Sequence, residues 1–165
     1  MKPELVGREG GFQPVGAEEI YTGFLADSII MTMKGEMRVA DLKEGDRVIT
    51  RDQGMSVLRA VHKRTVTAPC IQIRAGSLGH TRPERDTLLP AGQPILIRDW
   101  RARAVFGAPT AMVPAECLVD GEFITLRADE TYTVYELEFD TDHVIYVDGL
   151  EVASRAPEVE YRTAA

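Results

Sequence analysis

The sequence predicts an all-β fold, and three observations carry that prediction. Short runs rich in Val, Ile, Thr and Tyr recur along the chain, as in Arg47-Val48-Ile49-Thr50 and His143-Val144-Ile145-Tyr146-Val147. Turns built on Gly and Asp separate them, as in Lys34-Gly35-Glu36, Asp52-Gln53-Gly54 and Asp148-Gly149. A helical apolar period is almost absent. β-Branched and aromatic side chains suit a pleated, half-covered surface, and Gly and Asp supply turn geometry, so the pattern reads as many short strands.

Taken in order, residues 1–21 hold Gly7, Gly10, Gly11, Gly16, Pro3 and Pro14 with little periodicity, and are expected to form a flexible arm. The folded domain is expected over residues 22–154, followed by a polar tail at 155–165. Ser28 to Met33 is rich in β-formers and Lys34-Gly35-Glu36 is a turn. Val39-Ala40-Asp41-Leu42 makes one helical turn, Glu44-Gly45-Asp46 breaks it, and Arg47 starts a strand. Ser56 to Val66 alternates as one long strand with both faces partly covered. Ala68-Pro69 interrupts it, and Ile71 to Arg74 follows as a short strand.

Residues 75–87 read as a charged loop, and Pro90-Ala91-Gly92-Gln93-Pro94 as a turn-rich element before a buried strand at Ile95-Leu96-Ile97. Arg98 to Arg103 is a basic tip around Trp100, the single tryptophan, read first as a solvated hairpin end with Trp100 folded inward and otherwise as a partner-binding tip. Met112 to Gly121 gives a second helical turn and breaker. Phe123 to Leu126 is a strand, an acidic loop follows, and Tyr132 to Phe139 alternates as another. A last hairpin joins Val144–Val147 to Leu150–Val152 through Asp148-Gly149.

Two internal echoes suggest a duplication with unequal insertions. Leu42-x-x-Gly45-Asp46-x-Val48 returns as Leu118-x-x-Gly121-Glu122-x-Ile124, 76 residues on. Gln93 to Asp99 is echoed by Asp142 to Asp148, 49 residues on.

Bulk properties narrow the function classes. A chain of 165 residues, 44% apolar and 27% charged, is one domain able to bury its own core. The formal net charge of −7 argues against nucleic acid and anionic lipid as partners, because phosphate binding needs a basic face. No apolar run approaches a membrane span. The arm carries Glu4, Glu9, Glu18 and Glu19 and no hydrophobic segment, so it does not read as a signal peptide, and the cytoplasm is the default location, with signal-less export still open. Neither a Cys-x-x-Cys nor a paired-His spacing occurs, so no metal and no cofactor is expected. Cys70 and Cys117 sit beside apolar residues and are expected to be buried, inert thiols.

The stretch from Thr22 to Arg51, TGFLADSIIMTMKGEMRVADLKEGDRVITR, resembles the opening of bacterial Hint (Hedgehog/intein) domains. Those begin with a Cys-Phe-x-x-x-Thr-type element and continue into x-Val-x-x-Leu-x-x-Gly-Asp-x-Val. The resemblance covers about residues 22–154 and implies a horseshoe of two pseudo-twofold-related halves sharing long strands. It also implies self-processing. A Cys or Ser attacks the preceding peptide bond, a His in a Thr/Ser-x-x-His element protonates the departing nitrogen, and a late His or Asp assists.

Laid on this chain, the nucleophile position is Gly23. The Thr/Ser-x-x-His element falls on Pro90 to Gln93, with Pro90 for the hydroxyl residue and Gln93 for the imidazole. The late position falls on Asp142 or His143. These departures imply a catalytically silent domain kept as a binding or structural module. The alternative is self-cleavage by a substitute nucleophile, for which Thr22 and Ser28 are the hydroxyl candidates. Restoring Cys at 23 and His at 93 is expected to return slow cleavage. His143 is expected to be satisfied by backbone, Asp140 and Asp142 to serve the turn, and His62 and His80 to lie at the surface. A protein partner, unidentified, would meet the basic tip of Arg98, Trp100, Arg101 and Arg103, because Trp and Arg are enriched at binding hot spots.

Overall fold

The computed structural model describes residues 22–79 and 81–155. The expected arm, most of the expected tail and His80 lie outside the described residues. Within them are eleven strands and one short α-helix, so the all-β expectation is met.

β1 (Ile29–Thr32) and β2 (Gly35–Arg38) form a tight hairpin, with Thr32 opposite Gly35. The Thr32 hydroxyl closes the turn, donating to Gly35 O and accepting from Lys34 N–H. A 3-10 turn at Val39–Asp41 leads to β3 (Arg47–Thr50) and β4 (Gly54–Val57). Next come β5 (Ala60–Ile73), β6 (Thr87–Pro90) and β7 (Pro94–Ile97). Helix α1 (Trp100–Phe106), β8 (Ala111–Pro114) and a 3-10 turn at Ala115–Leu118 follow. β9 (Ile124–Glu138), β10 (Val144–Val147) and β11 (Leu150–Ala153) complete the fold.

One eight-stranded sheet runs β2-β1-β3-β10-β11-β7-β8, with β4 added on β3, and a second runs β6-β5-β9. Ile30, Val48, Leu58, Ile71, Ile73, Leu89, Ile95, Ile124, Ile145 and Val152 belong to the main core, and Val66, Ala68 and Val134 form a second, small cluster on β5 and β9. Such burial of branched apolar side chains is the main term favouring the fold.

The long strands differ from the sequence reading in an instructive way. β5 passes through Pro69, and β9 passes through the stretch expected to be an acidic loop. Ala68 pairs with Glu130 and Cys70 with Arg127, so two residues of β9, Ala128 and Asp129, face the single Pro69. This is a β-bulge, the place in a ladder where a residue without an N–H is tolerated. Asp129 and Glu130 project into solvent, so their charge does not oppose the strand. At the other end the predicted strand from Ser56 divides, because Leu58 turns into the core between β4 and β5.

The basic tip is a helix instead of a hairpin end. Asp99 caps it by accepting from Arg101 N–H, and Gly107, at φ 72°, closes it in a left-handed conformation. Only Ala102 of this helix is buried, and Trp100 is 66% exposed, which corrects the inward-folded expectation.

The first echo has a structural counterpart. β2 and its 3-10 turn correspond to β8 and its 3-10 turn, each preceded by an antiparallel partner, β1 or β7. Where β1 and β2 are joined by a two-residue turn, β7 and β8 are joined through α1. The second echo links β7 and β10, which flank β11 on opposite sides.

Candidate functional site

The chain enters the fold along β9. Phe24, fully buried, exchanges two backbone hydrogen bonds with Tyr135, at 2.9 and 2.8 Å. This clamp fixes Gly23, which is buried at φ 115°. A Cβ built on Gly23 would lie 2.7 Å from Val134 Cγ1 and 2.8 Å from the carbonyl oxygen of Tyr135. Both the backbone angle and the space disfavour an L side chain, which would require a neighbour to shift.

Gln93 lies beside Gly23, at the end of the β6–β7 turn, where its N–H donates to Pro90 O. Its buried side chain is fully engaged. Oε1 accepts from Gly23 N–H at 2.8 Å, and Nε2 donates to Ala153 O at 2.7 Å and to Pro94 O at 3.2 Å. The amide therefore ties the start of the domain to the end of β11. The N–H it accepts from belongs to the Thr22–Gly23 peptide bond, and Gln93 has no acidic proton to give that nitrogen. Pro90 pairs with Cys70 at the end of β6, buried and without a hydroxyl.

The late candidates separate. Asp142 is exposed, its carboxylate 3.7 Å from Arg155 Nη1. His143 is buried, and its backbone meets Ser154: His143 N–H donates to Ser154 Oγ at 2.9 Å, and Ser154 N–H to His143 O at 2.8 Å. Its ring, expected to be satisfied by backbone, instead places Nδ1 2.8 Å from Asp52 Oδ2 and Nε2 3.3 Å from Thr141 Oγ1. Because Ala153 accepts from Gln93 and Ser154 bonds His143, a bonded path runs from Gly23 to the His143–Asp52 pair.

Asp52 reads as a turn residue in sequence, and nothing local marks its ring partner 91 positions away. Its other oxygen accepts from Val144 N–H at 3.0 Å. Burial works against ionisation of this carboxyl, but the Val144 N–H and the imidazole outweigh it and hold Asp52 below its ordinary value.

Of the substitute nucleophiles, Ser28 is buried just ahead of β1 and Thr22 is half-buried ahead of Gly23. Cys70 is buried, but Cys117 is exposed, against the expectation of two buried thiols. Burial, with Glu130 adding and Arg127 opposing, raises the Cys70 thiol above its usual value. Surrounding protein atoms and Glu116 raise Cys117. His62 is exposed and 2.8 Å from Glu138. Among the described residues no three His, Cys, Asp or Glu are placed to hold a metal ion, and no helix is long and apolar enough to cross a membrane.

At the tip, Arg98 Nε bonds Glu151 at 2.8 Å, and Arg101 pairs with Asp99 while its guanidinium lies 4.9 Å from the Trp100 ring centre. Arg103 is exposed. The tip is therefore less basic than its sequence, since two of its three arginines are paired internally.

A sequence profile of the Hint domain matches residues 22–158, most of the chain. The chain belongs to the Hint domain family. Solved structures agree on the fold. The bacterial intein-like domain from Clostridium thermocellum is similar at 19% identity and a TM-score of 0.60, covering 81% of this chain and 97% of that one. The DnaB intein from Synechocystis sp. PCC 6803 is similar at 11% identity and a TM-score of 0.57, over 82% of this chain and 100% of that one. The TvoVMA intein gives 12% identity and a TM-score of 0.57, over 82% and 98%. No curated protein sequence matches the chain. The Hint fold thus accounts for both sheets.

Proposed function

We propose that this Hint domain is catalytically silent and serves as a binding or structural module. The observation that carries this reading is the surroundings of Gly23, where Val134 and the Tyr135 carbonyl fill the space a nucleophile's Cβ would need. Loss of a nucleophile alone leaves a groove that a single mutation could refill. Here the backbone angle and the packing both suit glycine, so the position is built around the absence of a side chain. A proton donor is missing at Gln93 as well, and general acid–base help is worth about 10²–10⁴-fold in such chemistry.

The surface offered to a protein partner is α1. Trp100, Val105 and Phe106 on the helix and Met112 on β8 are exposed, a group of large apolar side chains on an element that buries little else. The test of silence is intact-mass measurement of the purified chain after days with dithiothreitol or hydroxylamine. Full mass is expected. A fragment ending at Thr22 would instead favour a self-cleaving domain with a substitute nucleophile.

A further inference from the structure

β11 carries a buried carboxylate that three guanidiniums reach. The Glu151 side chain is 7% exposed, with Arg51 Nε 3.0 Å from Oε2, and Arg98 Nε 2.8 Å and Arg82 Nη1 3.3 Å from Oε1. The arginines come from the turn after β3, the 75–86 loop and the end of β7, so the fold, not local sequence, assembles them. Three positive charges meet one negative charge. The neighbouring acids do not make up the difference: Asp99 is paired with Arg101, and Asp52 faces His143. A local positive surplus is the opposite of what a chain of net charge −7 would give by composition.

A second observation concerns hydrogen bonding. Arg82 Nε is buried and has no hydrogen-bond partner among the described residues. The Arg82 side chain is 12% exposed, whereas Arg51 and Arg98, at 43% and 38%, leave the cluster open to solvent on their side. Burial and the charge of Arg98 hold the Arg82 guanidinium below its ordinary value even with Glu151 and Asp99 opposing them. A buried, unpaired guanidinium N–H beside surplus positive charge is unfavourable by itself and favourable toward an anion.

We propose that Arg51, Arg82 and Arg98 form a binding site for a phosphate-like oxyanion, with Glu151 holding the three guanidiniums in place. The planar forks of Arg51 and Arg98 have donors beyond those given to Glu151, and paired forks match the oxygens of a tetrahedral anion. The ligand is either free phosphate or the phosphoryl group of a small phosphomonoester. The site is separate from the Gly23–Gln93 position and does not depend on whether the domain is silent.

The test uses the full chain titrated with inorganic phosphate by calorimetry and thermal melting, with chloride holding ionic strength constant. Saturable phosphate binding and a melting temperature higher than in chloride are expected. The double variant Arg51→Gln/Arg98→Gln, whose altered side chains are half-exposed, should keep the fold and lose affinity by about tenfold or more. Glu151→Gln removes the competing carboxylate, so phosphate should bind it about tenfold tighter and restore part of its lost stability. A purely structural ion-pair cluster gives that variant no phosphate-specific rescue. Glycerol 3-phosphate distinguishes the two sources: tighter binding than inorganic phosphate assigns a phosphomonoester, and equal or weaker binding assigns the free ion. Wild-type chain that melts and titrates alike in phosphate and chloride would overturn the proposal, as would affinity unchanged in the double arginine variant.

Discussion

The N–H of Gly23 donates to Oε1 of Gln93 over 2.8 Å, joining a residue with no side chain to an amide that also bonds the end of β11. Such a bridge is a structural tie. It satisfies a buried donor at the start of the domain and a buried acceptor at its end, 130 residues apart in the chain.

Removing the tie should therefore cost stability. Gln93→Ala would strand Gly23 N–H and Ala153 O in the interior, and unsatisfied buried groups cost about 1–3 kcal/mol each. A total loss of about 2–4 kcal/mol is expected in urea denaturation. A loss below about 1 kcal/mol would show that the bridge is dispensable.

Glycine at 23 should be obligatory, unlike glycine at an open turn. Gly23→Ala combines an unfavourable backbone angle with a Cβ 2.7 Å from Val134 Cγ1, and each effect is worth about 1–3 kcal/mol. Gly54→Ala is the control, since its φ is 93° but nothing lies within 4 Å of its Cβ, leaving only the backbone cost. The difference between the two denaturation midpoints isolates the steric part. Equal losses would mean that β9 yields easily at Val134.

The all-β class, most strand positions and the Gly23–Gln93 juxtaposition were legible in the sequence, because period-two patterning, turn residues and a family-like opening are local signals. What escaped was decided at a distance. Pro69 reads as a break until Ala128 and Asp129 are seen opposite it, and the acidic stretch reads as a loop until β5 pairs with it. Asp52 looks like any turn aspartate until β10 brings His143 to it. α1 was within reach, since Asp99 and Gly107 are the expected start and stop residues of a short helix. The crowding at Gly23 had no sequence signal, because it depends on the rotamer of Val134 and the path of β9.

Stability should fall on the acid side. Asp52 and Asp120 are both held below the ordinary carboxyl value: burial opposes Asp52's shift, which Val144 N–H and His143 drive, while Asp120 is lowered first by Ile124 N–H and then by those of Glu122 and Phe123. A depressed folded-state pKa means that the unfolded chain takes up protons first. The stabilisation is complete above the unfolded value of about 4 and is lost as pH falls through the lower folded values. Glu116, raised by burial, works in the opposite sense and softens the loss. Asp52→Asn should destabilise the protein at pH 7 by about 1–2 kcal/mol and flatten the decline as pH falls below about 4. A parallel decline in the variant would remove Asp52 from the account.

The two thiols should behave differently. Cys117 is exposed and Cys70 buried, and both are raised above the usual thiol value. A thiol reagent at neutral pH should label Cys117 slowly in the folded protein, because little of it is thiolate, and Cys70 only after unfolding in urea. Rapid labelling at Cys70 in the folded state would show that β5 opens at the bulge.

Re-installing the family's reactive groups should not restore cleavage. Gly23→Cys with Gln93→His and Pro90→Thr supplies a thiol, an imidazole and a hydroxyl at the positions the family resemblance marks, and sequence alone leads one to expect slow release of residues 1–22. The structure argues otherwise. The new Cβ would meet Val134 Cγ1 at 2.7 Å and Tyr135 O at 2.8 Å, so the thiol can enter only if the Phe24–Tyr135 clamp shifts. Histidine at 93 also gives up the amide that held both Gly23 and Ala153. Adding Val134→Ala relieves the first contact but not the second, which is backbone. The triple and quadruple variants should therefore be less stable than the parent and keep full mass in dithiothreitol. A folded variant that releases the first 22 residues in a thiol-dependent reaction would show that β9 can move aside, and that silence here rests on the missing side chains and not on the space around them.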